Sequence, residues 1–386
     1  MRTVRDIQIF ENIPILVRAA LNVPVENGQV VNDYRLRRAV PTIKFLMERG
    51  AKVILIGHLG EQGTETLEPV AKALGRLISG VSFFGETIGE RVRGAVRSLA
   101  PGRVLVLENL RRNKSETMNG RAFAHELAAL ADIFVQDSFD TCHRLHASIV
   151  GVPALLPSYA GLLLDEEVHE LSRALTPMHP SLAVIGGAKF STKEVVLTTL
   201  LKTYDHVFVG GALGNDFLKA AGQEVGKSLV SNADAGAIKR LLADPKLVIP
   251  VDSLVIPAGA VGTPNACRSA RVAAAGQVRP DEVILDHGPG TSALLFSLAQ
   301  KTKTILWNGP LGNYENGFAA ATDSFARAVA SSGAHSVVGG GDTVAAIENL
   351  GLLPHFSFVS TGGGAMLDFL AKGALPGIDA LDNKAS

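Results

Sequence analysis

The chain has 386 residues, 47% of them hydrophobic and 19% charged, with 37 basic side chains balanced by 37 acidic ones. That length exceeds one ordinary domain of roughly 100–200 residues and fits two. Zero formal net charge excludes a global basic field for nucleic acid or an anionic membrane, so any anion site must be local.

Residues 1–10 carry three charges and no long apolar stretch, which argues against a signal peptide. In chain order, β-branched runs at 15–23, 52–59, 81–84, 103–108 and 133–137 predict strands, with amphipathic helices at 36–49 and 122–131 between them. The most apolar stretch, 147–164, is broken by Pro153 and Pro157 and reads as a turn and a packed helix, not a membrane span. A helix around 166–174, bracketed by prolines, marks the joint between two halves at 152–180. Beyond it, strands are expected at 182–185, 206–209, 247–251, 304–307, 336–338 and 356–360, and helices at 192–202, 292–300 and 322–330. Such βαβ alternation implies an α/β fold with a helix-covered parallel sheet in each half. Cys142 and Cys267 build no disulfide or metal framework, so a reducing cytoplasm fits, and Cys142 reads as a buried bystander thiol.

In the second half, glycine clusters directly follow strands: Gly186-Gly187, Gly210-Gly211, Gly309 after Asn308, Gly339-Gly340-Gly341 and Gly362-Gly363-Gly364. Ligands of open α/β sheets sit at the carboxyl ends of strands, where glycine permits close backbone approach and the next helix offers free N–H groups. One cluster is an ordinary turn; five on one edge point to a polyanion site. Lys189 and Lys193, four apart at the start of a predicted helix, suit a nucleotide phosphate chain, and Asp342 suits the Mg²⁺ that accompanies ATP. Two other motifs fail. Gly222 and Gly226 before Lys227-Ser228 are one residue too close for a P-loop, and no strand is followed by GxGxxG.

Nine short segments, taken in order, form a joint pattern along the chain: Leu16-Val17-Arg18 with Asn22-Val23-Pro24, Arg35 with Pro41-Thr42-Ile43, His58-Leu59-Gly60, Glu108-Asn109-Leu110-Arg111, and His143-Arg144 with His146-Ala147-Ser148. Gly186-Gly187-Ala188-Lys189, Trp307-Asn308-Gly309-Pro310, Gly339-Gly340-Gly341-Asp342-Thr343 and Ser360-Thr361-Gly362-Gly363-Gly364 follow. In these segments the chain resembles phosphoglycerate kinases over nearly its whole length, and the resemblance implies two Rossmann-like doubly wound domains joined by a hinge helix. Residues 1–160 would hold the acceptor, with the tail 370–386 packed back on them, and 161–369 would hold MgATP. Hinge closure would bring carboxylate and γ-phosphate into line.

By that resemblance, Arg35 and Lys193 serve the transferring group, and Gly363 and Gly364 cap it at a helix N-terminus. Gly187, Lys189, Gly210, Gly211, Asn308, Pro310, Gly312, Gly341 and Thr343 line the nucleotide, Glu315 binds the ribose, and Asp342 the metal. Asn22, Arg35, His58, Arg111 and Arg144 bind the acceptor. ATP/ADP and Mg²⁺ are the implied cofactors, a small carboxylate the implied partner, and a monomer the implied state, with no role for nucleic acid or a membrane. Such chemistry needs positioning and charge neutralisation, hence basic side chains, glycines and one acid.

Three acceptor positions depart from the family pattern. Ala20 stands for an aspartate, Glu61 for an arginine and Asp140 for a glycine, a net local change of minus two. An arginine turned carboxylate in a phosphate pocket removes a contact worth ~1.5–3 kcal/mol and adds repulsion. A milder outcome is open: Arg112, in place of an aromatic residue, could supply the lost cation while Glu61 faces solvent or pairs with Arg111. Ala212, Thr192 and Asn313 are smaller departures on the nucleotide side. The expectation is a carboxylate kinase making an acyl phosphate from an acceptor other than 3-phosphoglycerate. The alternatives are a glycolytic phosphoglycerate kinase with a drifted pocket and a non-catalytic nucleotide-binding paralogue.

Overall fold

The computed structural model describes residues 1–263 and 266–382. In its first part β1 (Pro14–Ala19), a hairpin of β2 (Val25–Glu26) and β3 (Gln29–Val30), β4 (Lys52–Ile56), β5 (Val81–Phe84), β6 (Val104–Leu107), β7 (Ile133–Asp137) and β8 (Ser158–Ala160) follow in order. All but the hairpin join one parallel sheet, ordered β5-β6-β4-β1-β7-β8. The central strands are buried nearly end to end, and that is why they read as continuous apolar runs: helices close both faces. The helix Tyr34–Met47, for example, lays Leu36, Ala39, Ile43 and Leu46 onto this core.

The second part contains β9 (Ser181–Ile185), β10 (His206–Val209), β11 (Leu247–Val248), β12 (Asp252–Pro257), β13 (Arg271–Ala274), β14 (Glu282–His287), β15 (Thr304–Asn308), β16 (His335–Gly339) and β17 (Phe358–Val359). A parallel sheet runs β11-β10-β9-β15-β16-β17. Beside it lies an antiparallel sheet, β13-β12-β14, which the sequence reading left unassigned. Its strands are half-exposed rather than continuous apolar runs, and the register slips between Leu254 and Val255, so the signal is weak.

Several expected strands end early, 52–59 at Ile56 among them. Residues 15–23 stop as a strand at Ala19, where Leu21 N–H turns back to the Ala19 carbonyl at 3.0 Å; the loop carries Asn22. Residues 247–251 pair only at Leu247 and Val248, ahead of Pro250. The chain divides into two compact units, Met1–His169 with the segment from Ala374 onward, and Glu170–Gly373. The division falls within the helix Leu162–Leu175. In the first unit the returning segment buries Leu375, Ile378 and Leu381, and Gly377 N–H donates to the Cys142 carbonyl at 2.8 Å. Among the described residues no helix is long and apolar enough to cross a membrane.

Candidate active site

In the second unit the loops after β9, β10, β15, β16 and β17 gather at the carboxyl edge of the parallel sheet. Their glycines first let the loops touch one another. A Cβ on Gly186 would lie 2.2 Å from the Pro310 carbonyl oxygen, and one on Gly309, whose φ is +95°, would lie 2.6 Å from the Gly186 backbone. Gly186 N–H donates to Asn308 O at 2.8 Å and Gly187 N–H to Pro310 O at 3.2 Å. Packed in this way, the loops wall a cavity of about 480 Å³. Gly187, Gly211, Pro310, Gly312, Glu315 and Asp342 line it together with Leu229, Val261, Val283 and Leu285. One wall is therefore polar backbone and the other apolar, a division suited to phosphates and a base respectively.

Of the remaining expected nucleotide residues, Gly210 donates its N–H to Ile185 O at 2.9 Å. Asn308 is buried, with its amide 3.4 Å from the Gly363 carbonyl. Thr343 is fully buried, and its hydroxyl has no partner among the described residues. Gly341 opens the helix Gly341–Asn349, and Gly363 and Gly364 open the helix Gly363–Lys372, so each helix offers free N–H groups at the sheet edge. Asp342 is exposed in the first turn of its helix. Among the described residues no three His, Cys, Asp or Glu side chains cluster as a metal site, so a metal here would rely on Asp342 and on ligand oxygens.

Lys189 and Lys193 do not share a helix face as expected. A single 3₁₀ turn, Phe190–Thr192, separates them, and the helix begins only at Glu194. The Lys193 ammonium lies against Gly187, where a Cβ would sit 3.4 Å from Nζ. Burial, helped by the charge of Lys189, lowers its pKa, so the ammonium gains most from an incoming anion.

The sequence reading passed over Asp286 and His287, which also line the cavity. Burial pushes the Asp286 carboxyl up to about 6 although it accepts from Ala321 N–H and His287 N–H at 3.1 and 2.9 Å. A Cβ on Gly312 would collide with this carboxylate at 2.2 Å. An acid and a histidine ending a strand just before Gly288-Pro289 were the available signal.

The first unit presents a second set of groups at the carboxyl edge of its sheet. Arg18, the one charge in an apolar strand, is fully buried and had no role assigned from sequence. It donates to Ser148 Oγ at 3.1 Å, Ala19 O at 2.8 Å and His58 Nδ1 at 2.9 Å, which leaves the His58 proton on Nε2. Ser148 in turn donates to the buried Glu116 at 2.6 Å. Asn22 accepts from Gly60 N–H at 3.1 Å, and its carbonyl accepts from Arg35 at 2.7 Å. Burial and the surrounding arginines hold His58 well below the usual histidine range and His146 down at about 4. Both imidazoles are neutral near pH 7, and the positive charge of the patch belongs to arginine.

The altered positions are now located. Ala20 is buried and carries no polar group. Asp140 lies 3.9 Å from Arg35 and accepts from Ser138 Oγ. Glu61 reaches Arg111 at 3.0 Å and Arg144 at 3.6 Å; desolvation, the largest single influence, raises its carboxyl, but the two arginines together hold it below the usual range. Arg112 does not supply the lost cation: it pairs with Glu108 at 2.9 Å. Cys142 is buried and burial pushes its thiol up, as befits a bystander.

A family model described as Phosphoglycerate kinase matches residues 4–373. The phosphoglycerate kinase of Pelotomaculum thermopropionicum is 41% identical, with 99% of both chains aligned. That of Azorhizobium caulinodans is 43% identical over 95% of this chain and 96% of its own. Among solved structures, phosphoglycerate kinase from Coxiella burnetii aligns with a TM-score of 0.83 at 39% identity, covering 100% of this chain and 99% of that one. The enzyme from Pyrococcus horikoshii OT3 aligns at 0.88 and 30% identity over 99% of each chain.

Proposed function

Because the chain belongs to the phosphoglycerate kinase family, we propose that it moves a phosphoryl group reversibly between ATP and the carboxylate of 3-phosphoglycerate. The observation that carries this reading is the arginine patch of the first unit. Arg35, Arg111 and Arg144, with His58 ordered by the buried Arg18, keep a positive field suited to an acceptor with anionic groups at both ends. The different acceptor expected from Ala20, Glu61 and Asp140 finds no support in the relatives, which bear the phosphoglycerate kinase name over the full length of the chain.

The cavity of the second unit fits MgATP: Leu229, Val261 and Leu285 would take the base, and Glu315 the ribose. Asp342 would hold Mg²⁺, which neutralises phosphate charge when bound. Lys189, Lys193 and the helix N-termini at Gly341, Gly363 and Gly364 would neutralise the phosphoryl oxygens, with Arg35 at the acceptor carboxylate. A coupled assay tests the assignment. We expect saturable turnover with 3-phosphoglycerate. No turnover with it, alongside ATP consumption with another acid from a carboxylate panel, would restore the different-acceptor reading.

A further inference from the structure

We infer that Glu61 is a built-in competitor of the acceptor, an internal carboxylate seated on Arg111 and Arg144 that an incoming anion must displace. The inference rests on assigning this patch to the acceptor. Each Glu61 oxygen addresses a different guanidinium, Oε2 to Arg111 Nη1 at 3.0 Å and Oε1 to Arg144 Nη2 at 3.6 Å, as one anion bridges two cations. On the cationic side Arg111 is held in place. The Arg111 side chain is only 3% exposed, and its Nη1 also donates to Gly60 O at 2.6 Å. Its Nη2 is buried with no partner among the described residues, so Glu61 is the one carboxylate paired with this guanidinium among them.

The anionic side is movable. Glu61's side chain is 72% exposed, so the carboxylate itself returns to water when it leaves the arginines. The buried Arg111 still needs an anionic partner, so Glu61 yields its place when a more strongly charged anion takes over both guanidinium groups. Neighbouring groups do not relieve the competition, because Arg112 is engaged by Glu108 and Asp140 faces Arg35. A single carboxylate competes poorly against a group carrying more charge. Glu61 thus selects for acceptors with a phosphate-like distal end over those ending in a carboxylate, while raising the concentration at which even these bind.

The test compares Glu61→Gln with the native chain and with Glu48→Gln, an equal charge change at an exposed position outside the patch. Calorimetry uses inorganic phosphate as probe, and steady-state assays give KM for 3-phosphoglycerate and for ATP. Phosphate binding and the 3-phosphoglycerate KM should both tighten about tenfold, ~1.4 kcal/mol, in Glu61→Gln only, with KM for ATP unmoved. Unchanged phosphate affinity in Glu61→Gln overturns the inference, even if 3-phosphoglycerate turnover is robust. Tighter phosphate binding in a chain that never turns over 3-phosphoglycerate sustains it and removes the proposed function instead.

Discussion

Lys193 stands between a 3₁₀ turn and the helix Glu194–Thr203, with its ammonium against Gly187 and its pKa lowered by burial. Truncation by Lys193→Ala removes no packed core group, so the melting temperature should hold while kcat falls by at least ~100-fold, as when a charge-stabilising donor is lost. Single-turnover kinetics with saturating ATP would check this, and a loss below tenfold would take Lys193 out of the phosphoryl path. The position of this lysine was legible in the sequence, but its setting was not, because a helical spacing of four hid the intervening 3₁₀ turn. Arg18 was missed for a related reason: inside Leu16-Val17-Arg18-Ala19 a lone charge shows no partner, and only the fold brings Ser148, His58 and Glu116 around it. Arg112 was weighed as a substitute cation, yet Glu108, four residues earlier, claims it.

Helix Leu162–Leu175 is anchored by Asp137 at the end of β7. One carboxylate oxygen accepts from Leu163 and Leu164 N–H at 3.0 and 3.2 Å, while the other has no partner among the described residues. Burial raises this carboxyl to about 7, above its unfolded value of 3.8. A carboxyl raised on folding stabilises the folded state only while protonated, so the native chain loses stability as pH climbs from about 4 to about 7 and is level above that. Asp137→Asn keeps the accepting oxygen and removes the charge. Its stability advantage in urea titrations should therefore grow across that window, up to roughly 4 kcal/mol; an advantage flat from pH 4 to 8 would refute the assignment. At this scale the sequence was most readable where strands lie between helices, since burial on both faces forces long apolar runs. It was least readable at β12, β13 and β14, whose half-exposed strands give no such run.

Across the molecule, the first unit is built from two stretches that are far apart in sequence, Met1–His169 and the chain from Ala374. Leu375, Ile378 and Leu381 fill gaps in it, and the Met1 amino group lies 3.7 Å from Asp382. Ending the chain at Gly373 should cost the first unit roughly 4 kcal/mol or more, at ~1.5–3 kcal/mol for each buried aliphatic side chain. Denaturation followed by proteolysis of each unit would show the first opening early while nucleotide affinity persists in the second; equal resistance would dismiss the tail as a support. This arrangement bears on how the polypeptide is made. A ribosome releases the opening 169 residues first, yet their last supports emerge only after Glu170–Gly373 has been synthesised. The first unit therefore reaches its final packing only after the whole sequence of the second has been made.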